Sequence, residues 1–214
     1  PHLDFAGDIK HKTNFPIFHA SKINDVATAR HAIKTGKLDM VGMTRAHIAD
    51  PHIIKKIINN KESEIRPCVG ATYCLDRIYE GNEALCIHNP ATGREKFIPH
   101  NISKVANKSK KIVIVGAGPS GLEAAKVCSE RGHEVIVFEA ANNPGGQVNL
   151  IIRSGRRKDM AGIIDWRLDA CKKNNVKFFF NILATKDIIL EQTPDVIIIA
   201  TGGIPNLNNV ETGE

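Results

Sequence analysis

Lys111-Ile112-Val113-Ile114-Val115-Gly116-Ala117-Gly118-Pro119-Ser120-Gly121 is the stretch on which the fold of this chain turns. The β-branched run from Ile112 to Val115 reads as a buried strand, the three glycines as a tight turn, and the apolar spacing from Gly121 to Arg131 as a helix. Residues Glu134 to Glu139 read as a second strand, so the unit is strand, crossover helix, parallel strand. Gly116 then permits the tight turn, Gly118 lets backbone approach a diphosphate, and Gly121 lets helix and strand pack closely. The glycine turn opens the helix, whose free N–H groups point at the phosphates. Glu139 ends the neighbouring strand eighteen residues beyond Gly121; there a carboxylate accepts hydrogen bonds from ribose hydroxyls and disfavours a 2′-phosphate. Glycine triplets occur in many loops, and it is the strand, the helix and the acid around this one that give it weight.

Downstream, a loop at Asn142 to Asn149 leads to a helix expected over Asp159 to Asn174, a strand over Val176 to Asn181 and a strongly apolar strand over Asp195 to Ala200. Upstream, Pro16 to Ala20 and Leu38 to Met43 read as strands, and Ile23 to Thr35 and His52 to Ile58 as helices, in the order βαβα. Asn24-Asp25 caps the first of these helices, Gly36 closes it, and Pro51 falls at the expected first turn of the second. Pro67 to His100 is rich in Cys, Gly, Pro and Asn without a sustained period, so something other than a hydrophobic face is expected to organise it, a metal being one such agent. Asn101 to Lys110 is polar and basic and reads as a linker. The division expected is therefore 1–66, 67–100, 101–110 and 111–214.

The composition is that of a globular protein, 42% hydrophobic and 24% charged. Lys and Arg outnumber Asp and Glu by 29 to 23, but the excess lies in short clusters without interleaved aromatics, so a solvated face is expected and not a nucleic-acid surface. No apolar run approaches the roughly 18 residues of a membrane span, and the first residues do not resemble a signal peptide. A cytoplasmic protein without a membrane partner is expected.

Five cysteines, without an export signal, argue against a disulfide framework and toward metal or redox chemistry. Cys68, Cys74 and Cys86 share one short stretch, whereas Cys128 and Cys171 fall in expected helices, where a buried apolar role is the ordinary one. His19, His47, His52 and His88 read as surface or helix-face residues, and no side chain is assigned a catalytic acid or base role.

Two further pieces, Pro144-Gly145-Gly146-Gln147 and Ala200-Thr201-Gly202-Gly203-Ile204-Pro205, resemble motifs of the two-dinucleotide-binding flavoproteins. That resemblance implies FAD at the glycine turn, held by Gly116, Gly118, Pro119, Ser120, Gly121, Glu139, Gly146, Gln147, Ala200, Thr201 and Gly202. Cys68-Val69-Gly70-Ala71-Thr72-Tyr73-Cys74, with Cys86 after eleven intervening residues, resembles the iron–sulfur segment of the trimethylamine dehydrogenase and 2,4-dienoyl-CoA reductase group of old yellow enzyme relatives. The stretch Cys74 to Tyr79 with Ala84 to Pro90 is similar to the N-methylproline demethylase branch. The group's pattern has four cysteines for a 4Fe–4S cluster, and Ala71 stands where the second is expected. The resemblance implies metal ligation by Cys68, Cys74 and Cys86; a Cys3His zinc site using His88 and three unligated thiols are the other readings.

In the same group a flavin-bearing (β/α)8 barrel precedes the cysteine segment. Pro16 to Lys22, and Asp39 to Arg45 with Asp50-Pro51, resemble its last two βα units, where loops commonly hold a cofactor phosphate. The resemblance implies FMN phosphate at Arg45, the backbone of Gly42 and Thr44, and Ser21 and Lys22. The fold class expected is α/β: the C-terminal remnant of a (β/α)8 barrel, an irregular cysteine segment, then a Rossmann-like FAD/NAD-binding domain. Since such a barrel takes about 250 residues, the chain is expected to be a fragment of a longer flavoprotein oxidoreductase. That enzyme would pass electrons between NAD(P)H, FAD, an iron–sulfur centre and FMN and act on an unsaturated or N-methylamine small-molecule substrate; a homo-oligomer is left open. A flavin-linked electron-transfer subunit of glutamate synthase type and a non-catalytic nucleotide-binding remnant are the alternatives.

Overall fold

The computed structural model describes residues 2–20, 22–105 and 108–203. The chain divides into two compact units, Pro1–Asn101 with Arg156–Trp166, and Ile102–Gly155 with Arg167–Glu214.

In the first unit, α1 (Leu3–Lys10) precedes β1 (Phe18–His19), α2 (Val26–Lys34), β2 (Met40–Val41), α3 (Thr44–Ala49), α4 (Ile53–Ile58) and α5 (Tyr73–Tyr79). β1 and β2 run parallel, Phe18 opposite Met40 and His19 opposite Val41, so the loops that follow them emerge at the same edge. The expected βαβ order is present, with shorter strands than the apolar runs suggest. Asp25 caps α2 by accepting the Thr28 N–H at 2.7 Å, and Gly36 takes a left-handed φ of 70° beyond its end. Leu38, Ala32, Ile23 and Ala6 form the buried cluster beneath this unit.

Two expectations are corrected here, and α3 covers residues to which no element was assigned, six being too few to display a helical period. Pro51 lies in the turn ahead of α4, which begins at Ile53. Helix α5 lies inside the segment expected to be irregular throughout, opened by Thr72 in a left-handed conformation at φ 60°.

The turn at Pro51 is held by a buried carboxylate. Asp50, 3% exposed, accepts from Lys56 Nζ at 2.5 Å, Arg66 N at 2.8 Å and His52 N at 3.0 Å. Burial pushes this carboxyl up, but the Lys56 ammonium and the two N–H groups outweigh it, so it lies below the usual carboxylate value. A carboxyl depressed in the folded state contributes stability above its unfolded value of about 4 and loses it as pH falls through the folded value. Asp50→Asn is therefore expected to be less stable than the parent at neutral pH and to lose less on acidification below about pH 4, as read by denaturant midpoints across that range.

In the second unit, β3 (Lys111–Val115), α6 (Pro119–Glu130), β4 (Glu134–Phe138), α7 (Val148–Ile151), α8 (Gly162–Lys173, of which residues from Arg167 belong here), β5 (Lys177–Phe179), α9 (Lys186–Glu191) and β6 (Val196–Ile199) follow in order. The four strands form one parallel sheet in the order β5-β4-β3-β6. Val113, Ile136 and Phe138 pack with Ile189 of α9. The period of two then leaves Ile112, Ile114, Val135 and Val137, each buried, on the opposite face. Cys171 is fully buried, its thiol pushed up to about 12 by that burial, in line with an apolar role; Cys128 is half-buried.

Two boundaries differ from expectation. The helix read from Gly121 starts at Pro119. The helix read from Asp159 starts at Gly162, after a 3-10 segment over Gly155–Ala161.

Candidate functional site

The glycine turn sits where β3 hands over to α6. Gly116 has φ 102° and donates to Phe138 O at 2.7 Å; an added Cβ would meet Ala200 O at 2.4 Å. At Gly121 a Cβ would fall 1.9 Å from Gly116 O, a distance no side chain can adopt. At Gly118, the residue that caps α6, a Cβ meets nothing within 4 Å. Two glycines are thus fixed by the protein's own packing, whereas the middle one faces open space, as an approach for a diphosphate requires. Pro119 and the exposed Ser120 form the first turn of α6, twelve residues long, whose free N–H groups favour an anion.

Glu139 is bound to this turn directly. Its Oε2 accepts the Ala117 N–H at 2.7 Å and its Oε1 accepts the Ala141 N–H at 2.9 Å. The two motifs that suggested flavin also converge here. Gly145 N donates to Ala117 O at 2.8 Å, a Cβ on Gly146 would lie 3.3 Å from Gly118 Cα, and Gln147 Nε2 donates to Gly203 O at 3.0 Å. Ala200 N donates to Val115 O at 2.8 Å, which brings Thr201 and Gly202 beside the turn. Ile204 and Pro205 lie outside the described residues.

Sequence reading missed Asn149. Its Nδ2 donates to Pro144 O at 2.9 Å, and its amide occupies the space that a side chain at Gly145 would need. An Asn that bonds a neighbouring loop carbonyl is a local turn device, and its place right after Pro-Gly-Gly-Gln-Val was the available signal.

In the first unit the three cysteines come together. Cys68, Cys74 and Cys86 line one cavity with Ala71, Arg45 and Ile48. Burial pushes the Cys68 thiol up; the Gly70 N–H and the Arg45 guanidinium pull it down, and Cys86 and Cys74 raise it further, with a net rise. Among the described residues, no three His, Cys, Asp or Glu side chains gather tightly enough to hold one metal ion. Soft sulfur donors ringing a largely apolar cavity with one cation in its wall fit an anionic iron–sulfur cluster in chemistry, one ligand short of four.

His88 corrects a further expectation. It is fully buried and is neither a surface histidine nor on the cavity wall. Its Nδ1 lies 2.9 Å from Pro67 O, and its ring meets Trp166 edge-on at 5.5 Å. Trp166 in turn stacks under the Arg66 guanidinium at 4.3 Å and donates to Glu64 O. Asn89 and Thr92 both donate to Ile48 O, at 3.3 Å and 2.8 Å. Buried polar groups thus order this segment where a hydrophobic period is lacking.

Of the residues expected at an FMN phosphate, Thr44 is exposed at the start of α3, Lys22 is exposed on the loop after β1, and Arg45 is half-buried on the cysteine cavity. The Gly42 N–H is engaged with His19 O at 2.8 Å. Ser21 lies outside the described residues.

The NAD(P)-binding Rossmann-like domain model matches residues 114–170. Across 213 residues the chain is 62% identical to a probable N-methylproline demethylase of Rhizobium meliloti (strain 1021), covering 100% of this chain and 31% of that protein. Over 214 residues it is 49% identical to a multifunctional alkene reductase/demethylase of Caballeronia cordobensis, again 100% of this chain and 31% of the relative. Over its whole length this stretch is similar to part of the trimethylamine dehydrogenase and old yellow enzyme group. The solved structure of a 2-naphthoyl-CoA reductase in complex with 2-naphthoyl-CoA matches with a TM-score of 0.89 and 34% identity, over 96% of this chain and 31% of that one. The chain spans about a third of the length of these relatives.

The glycine geometry separates packing from binding. Gly118→Ala is expected to fold with a melting temperature near the parent's and to lose dinucleotide affinity, whereas Gly121→Ala, with backbone in its way, is expected to lower the melting temperature sharply. Thermal unfolding and ligand titration on the same two proteins check this.

Proposed function

We propose that the full-length protein is a flavin-dependent NAD(P)H oxidoreductase acting on an N-methylamine or an unsaturated small molecule, and that the second unit of this chain holds the ADP half of FAD. The observation that carries this reading is the tie between Glu139 and Ala117 N beside an open Gly118. It supports a turn held ready for a diphosphate, with a carboxylate one strand over at ribose height. The Gln147 to Gly203 bond supports FAD in this cleft, because it closes the two flavin-type motifs against the same turn.

Within this reading the chain's own groups have separable tasks. The N–H groups of the first turn of α6 take the diphosphate charge. Glu139 holds the Ala117 peptide and accepts from the ribose through its remaining lone pairs. Asn149 and Gln147 keep the Gly145-Gly146 loop against the turn. In the first unit, Thr44, Lys22 and Arg45 are the candidate FMN-phosphate contacts, Arg45 being shared with the cysteine cavity. FAD and FMN supply hydride and single-electron exchange when bound, and the cysteines would hold an iron–sulfur centre that supplies one-electron transfer. Among the described residues no helix is long and apolar enough to cross a membrane, and a cytoplasmic site of action is part of this proposal.

Full-length protein purified without oxygen is expected to show flavin absorption that bleaches on NADH or NADPH addition; colourless protein that takes up no FAD on reconstitution would reject the reading. Glu139→Ala is expected to weaken FAD affinity by about 1.5–3 kcal/mol, the range for hydrogen bonds to a charged group. Glu139→Gln, which keeps an acceptor for the Ala117 N–H, is expected to lose less. Titration calorimetry on the deflavinated protein measures both, and equal, unperturbed affinities would remove Glu139 from the site.

A further inference from the structure

We infer that Cys68, Cys74 and Cys86 hold a cluster of three irons and four sulfides, with the Ala71 methyl standing at the corner where a fourth iron would need its ligand. The inference rests on the oxidoreductase reading above and deepens it. All three sulfurs and Ala71 line the same cavity, so the alanine is not a substitution at a distance from the site. It removes a donor from the wall itself.

Among the described residues on the cavity wall, the other polar side chains are Arg45, Thr72 and Tyr73, and none of them is a thiol. Arg45 is a permanent cation and cannot bind iron. The Thr72 hydroxyl, also on the wall, donates to Ala71 O at 2.7 Å. His88 is directed to Pro67 O and Trp166 and lies off the cavity wall. The Asp159 carboxylate comes within 3.9 Å of the Cβ position of Gly70, yet it too lies off the wall. In a four-iron cube each iron has three sulfides and one outer ligand; an iron facing a methyl group has only the sulfides and solvent. Loss of that iron as Fe2+ from a 2+ cube leaves a neutral three-iron core, so charge balances without an added oxidant. Each remaining iron keeps one thiolate, whose proton leaves to solvent when the metal binds. The cation at Arg45 offsets the net negative charge of three thiolates around such a core.

The test uses the full-length protein, reconstituted anaerobically with a mixture of ferric and ferrous iron and inorganic sulfide, then treated with ferricyanide as the one-electron oxidant. The expected result is three irons per four acid-labile sulfides, with a paramagnetic state in electron paramagnetic resonance after the oxidant is added. In Ala71→Cys the iron-to-sulfide ratio is expected to rise to one and the oxidised-state signal to vanish, since an oxidised four-iron cube with 2+ charge is diamagnetic. Equal iron and sulfide with a silent oxidised state in the parent would overturn the inference. So would zinc or no metal after reconstitution, or an Ala71→Cys protein that stays at three irons. Flavin absorbance in the same samples separates the two failures: protein that keeps its flavin but takes no such cluster sinks this inference alone, and protein with neither sinks the oxidoreductase reading as well.

Discussion

The hydrogen bond from Ala117 N to the Glu139 carboxylate is the contact on which the nucleotide half depends. It joins the turn after β3 to the end of β4, so strand pairing, glycine turn and helix start are all registered by one charged acceptor. A hydrogen bond to a carboxylate is among the stronger ones available to a backbone N–H. Placed at the C-terminal edge of a parallel sheet, it locks the loop at the position where such sheets bind ligands. Gly121 against Gly116 O then forces the helix close to the strand, and Gly118 is left as the open approach.

The same turn gathers the rest of the cleft. Gly145 N bonds to Ala117 O, Gln147 reaches Gly203, and Ala200 bonds to Val115. Two loops distant in the chain, at residues 145–147 and 200–203, are therefore braced against a single peptide segment and each other, which favours a preorganised site over one assembled on binding.

The first unit is ordered by different means. Short strands and helices surround a small apolar cluster, and the cysteine segment beyond them is fixed by buried polar groups: Asp50 under its turn, Asn89 and Thr92 on one carbonyl, His88 between Pro67 and Trp166. Such groups are costly to bury unless each finds a partner, and none of them lies on the cavity wall, where the three cysteines stand with Ala71 and Arg45. A segment built this way presents thiols at fixed positions without relying on a helical or strand period.

Much of the second unit was legible in the sequence, because Ile112 to Val115, the glycine spacing and Glu139 are local signals whose physics acts over a few residues. The βαβ order upstream and the grouping of Cys68, Cys74 and Cys86 in one stretch were legible for the same reason. Tertiary structure alone decided that Gly118 is open while Gly116 and Gly121 are not, that Asn149 braces the Gly145 loop, that His88 is buried beside Trp166, and that Arg45 stands on the cysteine cavity. Each of these rests on atoms from distant parts of the chain meeting within a few ångströms, and residue type and spacing carry no record of such meetings.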